Sequence, residues 1–80
     1  MKAYSINIRN SQNSRCTGGI ILTENGKVTL INRDMPYSLL SLPSWNEYNP
    51  IGCSEEQMIA DIKAMNGNEI SVSVTLIGKQ

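Results

Sequence analysis

The side chains best able to do chemistry in this chain are two cysteines and several carboxylates, because the sequence contains no histidine. Histidine is the commonest general base and a frequent metal ligand, so its absence removes most familiar catalytic and zinc sites. Cys16 and Cys53 have no second ligand at zinc-site spacing. Glu55 and Glu56 are consecutive, and neighbouring positions of a helix do not face each other. We therefore predict no enzymatic activity, no metal and no cofactor.

Targeting and redox signals are also absent from the sequence. The first residues contain no apolar run of the length that a secretory signal requires. No stretch approaches the ~20 apolar residues of a membrane-spanning helix. Two cysteines without a disulfide framework favour reduced thiols in the cytoplasm, and a Cys16–Cys53 bridge is the less favoured alternative. We expect a cytoplasmic protein that does not contact membranes.

The seven basic and seven acidic residues cancel overall but are unevenly distributed. Residues 1–33 carry a net charge of +4, whereas residues 34–69 carry −5. A basic sheet backed by an acidic helix is compatible with a local nucleic-acid footprint, although no aromatic residues alternate with the cations. This is the alternative function, and it would use Arg9, Arg15, Lys27 and Arg33.

Residues 33–53 form a long segment without a regular period that holds all three prolines and three of the four aromatic residues. Trp and Tyr on a proline-stiffened loop are typical of interface cores, because little entropy is lost when they bind. The same side chains would also serve as a lid over a thin hydrophobic core, and the sequence does not separate these interpretations. The predicted partner-binding residues are Tyr37, Leu40, Trp45, Glu47, Tyr48, Glu55 and Glu56.

Strands are predicted on both sides of this segment. Residues 3–10 and 70–77 alternate apolar and polar side chains, the pattern of half-buried strands. Residues 17–32 read as a hairpin, because Asn25-Gly26 suits a type I′ turn. Counting outward from that turn, the expected cross-strand pairs are Glu24–Lys27, Thr23–Val28, Leu22–Thr29, Ile21–Leu30 and Ile20–Ile31. Both faces of the predicted hairpin are apolar.

One helix is predicted over residues 55–66. Ser54 is a good N-cap residue, and Gln57 completes a capping box in which each residue bonds the other's backbone N–H. Glu55 and Glu56 lie in the first turn, where the helix dipole favours negative charge. Gly67 is expected to end the helix in a left-handed conformation.

The order β-β-β-α-β predicts a single α+β domain of two layers, residues 1–80. We expect an antiparallel sheet of four strands, or of five if residues 37–42 form an irregular edge strand, with the helix on one face. The first three strands should form a meander, and the strand after the helix should pair with the first.

The overall profile suggests a class of function and carries no family motif. A small chain of this kind is similar to the proteins of phages and mobile elements, many of which occupy a surface of a host machine. The expected function is a stoichiometric inhibitor that binds a host protein complex, of the anti-CRISPR or other anti-defence type. The apolar hairpin faces and the zero net charge also favour a homodimer.

Overall fold

The computed structural model describes residues 1–11, 15–33, 45 and 47–79. Its elements are β1 Lys2–Asn10, β2 Arg15–Glu24, β3 Lys27–Arg33, α1 Glu55–Lys63 and β4 Ile70–Lys79. The strands form one antiparallel sheet in the order β3-β2-β1-β4, and the helix α1 packs on one face. This confirms the α+β two-layer fold and the pairing of the last strand with the first. The possible fifth strand at 37–42 falls outside the described residues.

The core lies between the helix and the inner face of the sheet. Along the central strand β1, Tyr4, Ile6 and Ile8 point inward and are buried, while Ser5 and Asn7 between them face outward. This is the period of two that alternating side chains impose on a strand. The core is completed by Ile21, Val28, Trp45, Met58 and Ile62.

Two consecutive glycines allow β2 to run close to both of its neighbours. Gly18 and Gly19 have backbone φ angles of +157° and +154°, which residues other than glycine rarely adopt. A Cβ at Gly18 would overlap the carbonyl oxygen of Ile6 in β1, and one at Gly19 would overlap that of Asn32 in β3. The Gly-Gly pair is therefore a requirement of the sheet.

The hairpin turn is as predicted, with φ angles of 54° at Asn25 and 77° at Gly26. The pairs beside it are also as predicted, Glu24–Lys27 and Thr23–Val28. The register then shifts, because Thr29 is an extra residue in β3 whose hydroxyl donates to the carbonyl of Leu22 at 3.3 Å. The predicted pairs from Leu22 onward are therefore wrong, and the actual pairs are Leu22–Leu30, Ile21–Ile31 and Ile20–Asn32.

This bulge changes which side chains of β3 reach the core. Ile31 lies opposite the buried Ile21 and packs against the core. Leu30 lies opposite Leu22 on the outer face and is 44% exposed. The outer face of the hairpin thus keeps an apolar character, carried by Ile20, Leu22 and Leu30.

Helix α1 begins as predicted but ends earlier. The Ser54 side chain accepts a hydrogen bond from the Gln57 backbone N–H at 3.1 Å, which confirms the N-cap. The reciprocal half of the capping box is wrong, because the Gln57 amide donates to Asp61 at 2.7 Å.

The helix ends at Lys63, three residues before the predicted end. Its last turn tightens, because the Asn66 backbone N–H bonds the Lys63 carbonyl, while the Asn66 side chain bonds both that carbonyl and Val72 in β4. Gly67 does not adopt the predicted left-handed conformation; Ala64, with φ −68°, is the C-cap residue. In the described residues, no helix has the length and apolar character needed to cross a membrane.

Candidate functional site

A tight turn at residues 50–53 leads into helix α1 and presents an exposed isoleucine. The Cys53 backbone N–H donates to the Pro50 carbonyl at 2.9 Å, and Gly52 has a φ of +90°. Both backbone groups of Val28 hold this turn against β3: its N–H bonds Cys53 and its carbonyl bonds Gly52, each at 2.9 Å. Ile51, between these anchored residues, is 54% exposed.

Trp45 lies in the core. Its side chain has no exposed surface, and its ring centroid is 6.3 Å from that of Tyr48. The Arg33 guanidinium lies 5.6 Å from the Trp45 ring centroid, and Arg33 Nε donates to the Trp45 carbonyl at 2.8 Å. Of the two interpretations that the sequence allows for Trp45, its placement therefore fits the lid over the core, and it offers a partner no contact area.

Tyr48, three residues after Trp45, contacts helix α1 through a hydrogen bond. Its hydroxyl donates to Asp61 Oδ2 at 3.3 Å, and Gln57 Nε2 donates to the other oxygen of the same carboxylate. Partial burial and the neighbouring Asp61 charge raise the pKa of Tyr48 well above its usual value, so the phenol stays protonated. The Asp61 carboxylate is thus held in a fixed position on the flank of α1.

The predicted acidic residues divide into two groups. Glu47 and Glu56 are exposed, Glu47 beside Tyr48 and Glu56 in the first turn of α1. Glu55 instead forms an ion pair with Lys2 of β1 at 3.3 Å, and its side chain is only 15% exposed. Glu55 therefore helps to attach the helix to the sheet and is not part of the exposed group.

We use the name loop–helix surface for five residues of the segment 47–51 and of α1. Three are exposed and two are half-buried: Glu47, Ile51 and Glu56, and Tyr48 and Asp61. Ile51 and Asp61 were not among the predicted partner-binding residues. The apolar residue before Gly52 was a usable signal for Ile51, because glycine at the third position of a turn leaves the preceding side chain at its tip.

The cations proposed for nucleic-acid binding do not converge. Arg9 lies opposite Cys16 across β1 and β2, whereas Lys27 pairs with Glu24 beside the hairpin turn. Those two ends of β2 are about 26 Å apart at the usual rise of a strand. Arg33 is engaged with Trp45 on the core side. The backbone of Arg15 lies opposite Asn10, at the same end of the sheet as Arg9.

The two cysteines are free and lie far apart, Cys16 exposed and Cys53 half-buried. Cys53 bonds Val28 beside the turn, whereas Cys16 is near the other end of β2, so the alternative of a Cys16–Cys53 bridge is wrong. Among the described residues, no cluster of three or more acidic or cysteine side chains is arranged to hold a metal ion.

Tyr37 and Leu40, the remaining predicted partner residues, lie outside the described residues. Comparison with known proteins gives no match: no family model, curated protein or solved structure is similar to this chain.

Proposed function

We propose that this chain acts by binding another protein through the loop–helix surface, without a catalytic step. The more specific proposal is a stoichiometric inhibitor of a host protein complex, of the anti-defence type that phages and mobile elements encode, working in the host cytoplasm. The specific part rests on the chain's similarity in type to such proteins. The absence of enzymatic activity stays a prediction.

The observation that carries the proposal is the exposed Ile51 on a turn that its own chain holds rigid. A turn closed by the Cys53–Pro50 hydrogen bond and fixed to Val28 by two more loses little conformational entropy on binding. An exposed apolar side chain on such a turn is suited to fill a pocket on a partner. Ile51 takes the anchoring role that the sequence analysis considered for Trp45.

The acidic side chains of the loop–helix surface favour a partner with a basic surface. Glu47, Glu56 and Asp61 are all acidic, and Asp61 is held in place by Tyr48 and Gln57. Complementary charge around an apolar anchor speeds association and discriminates between partners. A protein site that normally binds nucleic-acid phosphate has this character, so an acidic inhibitor could occupy it.

Affinity capture with matched variants tests the proposal. Tagged wild-type protein is incubated with a lysate of the cells that carry the gene, with and without nuclease. We expect a protein that survives nuclease treatment and is lost with Ile51→Asp and with Glu47→Lys. Arg9→Ala, on the outer face of the sheet, is the control that should retain it.

The opposite pattern would refute the proposal. If Arg9→Ala abolishes capture, nuclease removes the captured material, and both loop–helix variants still bind, nucleic-acid binding is the better account. Each variant's unfolding midpoint is measured beside the wild type, so that loss of capture is not confused with loss of fold. Ile51 and Glu47 are both exposed, so their replacement should leave the midpoint nearly unchanged.

A further inference from the structure

The outer edge of β4 is only partly occupied. The N–H of Val72 donates to Asn66 Oδ1 at 2.8 Å, its carbonyl accepts from Asn66 Nδ2 at 3.4 Å, and the carbonyl of Ile70 accepts from Gly67. These bonds show that Ile70 and Val72 direct their backbone groups away from β1. Because that direction alternates along a strand, Val74 and Leu76 do the same. Within the described residues, nothing bonds the outward groups of Val74 and Leu76.

The apolar row of the inner face becomes more exposed along this edge toward Leu76. Val74 lies opposite Ile6, and Leu76 lies opposite Tyr4. Ile6 and Tyr4 are buried, whereas Val74 is half-buried and Leu76 is 47% exposed. The apolar surface thus becomes exposed at Leu76, beside outward backbone groups that nothing in the described part of the chain bonds.

We propose that β4 of a second copy pairs with this edge, antiparallel and related by a two-fold axis through Thr75. In this register Val74 of each copy lies opposite Leu76 of the other, and each such pair exchanges both of its N–H···O bonds. The two four-stranded sheets become one continuous sheet with both helices on the same side. The inference goes beyond the proposed function, since it uses no residue of the loop–helix surface.

A second copy fits this edge because the strand is complementary to itself. The two-fold axis places apolar residues opposite apolar residues on the inner face and Thr75 opposite Thr75 on the outer face. No charged residue occurs between Ile70 and Gly78, and the net charge of zero brings no repulsion between copies. Edge strands that avoid such pairing usually carry charges or proline, and β4 has neither over these positions.

Two features limit the length over which β4 can pair with β4 of a second copy. On one side, the Asn66 side chain occupies the edge at Val72. On the other side, the register between β4 and β1 shifts after Leu76, so that Gly78 lies opposite Ala3. The free edge therefore spans Val74 to Leu76, and we expect a weak dimer that forms at high protein concentration.

The test measures average mass by sedimentation equilibrium from low micromolar to millimolar protein. For the wild type, we expect the mass to rise from that of the 8.8 kDa chain toward twice that value. Thr75→Lys and Thr75→Glu each place two like-charged side chains directly opposite each other, on Cα atoms about 4.5 Å apart at the two-fold axis, and should weaken the dimer about tenfold or more. An equimolar mixture of the two variants should restore association.

Ser71→Glu is the matched control, since Ser71 is exposed on the same face of β4 but lies beyond the free edge. It should dimerise as the wild type does. A wild type that keeps its monomer mass at millimolar concentration overturns the proposal. So does a dimer that both Thr75 variants leave intact, which would assign association to another surface, such as the apolar outer face of the hairpin.

Discussion

The outward-facing backbone groups of the two edge strands, β3 and β4, differ in the hydrogen bonds that they receive. Along β3, the turn at 50–53 supplies a partner for both outward groups of Val28, and the Glu55 N–H bonds the carbonyl of Gly26. Along β4, the Asn66 side chain serves Val72, and the described chain offers nothing to Val74 and Leu76. The described chain therefore covers the β3 edge beside the hairpin turn and leaves the β4 edge at Val74 and Leu76 open to the proposed second copy.

The largest expected effect comes from removing the aromatic residue that anchors the segment beside β3. Trp45→Ala should lower the free energy of unfolding by about 3–5 kcal/mol, because it deletes a fully buried aromatic side chain. Urea denaturation measures this loss. Ile51→Ala is the control from the same segment, exposed and expected to change stability by less than about 0.5 kcal/mol. A small loss of unfolding free energy for Trp45→Ala would show that the Trp45 side chain does not fill the core beside β3.

A second prediction concerns the conformation of the turn itself. Gly52→Ala should cost about 1–2 kcal/mol, because φ is +90° there and a side chain is strained in that region. Gly67→Ala is matched to it: a Cβ would meet open space at both positions, but Gly67 has no positive φ. The control should be neutral or slightly stabilising in the same denaturant titration. Equal losses at the two positions would contradict this account of the turn.

The side chain that caps the β4 edge at Val72 can be removed directly. Asn66→Ala should lower stability by about 1 kcal/mol, since the side chain bonds the Lys63 carbonyl and both outward groups of Val72. It should also lengthen the free edge and strengthen self-association. Asn68→Ala is the control, because Asn68 is exposed and makes no hydrogen bond within the described residues. If the Asn66 variant associates more weakly than the wild type, the edge does not mediate the dimer.

The smallest expected effect is the alkaline behaviour of Tyr48. Its pKa in the folded protein is raised above the ordinary value of 10.0, so deprotonation is harder in the folded chain than in the unfolded one. The stability associated with the neutral phenol is complete below that ordinary value and falls as pH rises above it. Thermal melts across this range should show a steeper alkaline decline for the wild type than for Tyr48→Phe. Parallel declines would mean that the Tyr48 phenol is neither partly buried nor placed against Asp61.

The elements that the sequence predicts correctly are those with local causes. Alternation along residues 3–10 and 70–77, the Asn25-Gly26 turn and the Ser54 cap each depend on neighbouring residues, and all are present. The predicted hairpin register is wrong from Leu22 onward, because the extra residue Thr29 places the Ile31 side chain on the inner face of the sheet. The earlier helix end goes with the Asn66 side chain, which donates to the Lys63 carbonyl and accepts from the Val72 N–H of β4.

The candidate site was less accessible to sequence reasoning. A tryptophan on a proline-rich segment has the same local signature whether it fills the core or a partner's pocket, and only the packing around Trp45 separates the two. Glu55 and Glu56 are adjacent in sequence, yet one bonds Lys2 and the other faces solvent. Lys27 and Arg33 lie at opposite ends of β3, and Arg33 contacts the core residue Trp45 whereas Arg9 faces outward, which charge counts along the chain do not contain.

The most direct test of the difference between the two edges is amide hydrogen exchange followed by NMR on dilute protein. We predict slow exchange at Val28, whose N–H bonds Cys53, and fast exchange at Val74 and Leu76. Ser73 and Thr75, whose N–H groups face β1, should be protected and serve as internal controls on the same strand. Protection of Val74 and Leu76 equal to that of Ser73 and Thr75 in dilute monomer would contradict the account, because it would mean that the β4 edge is already covered.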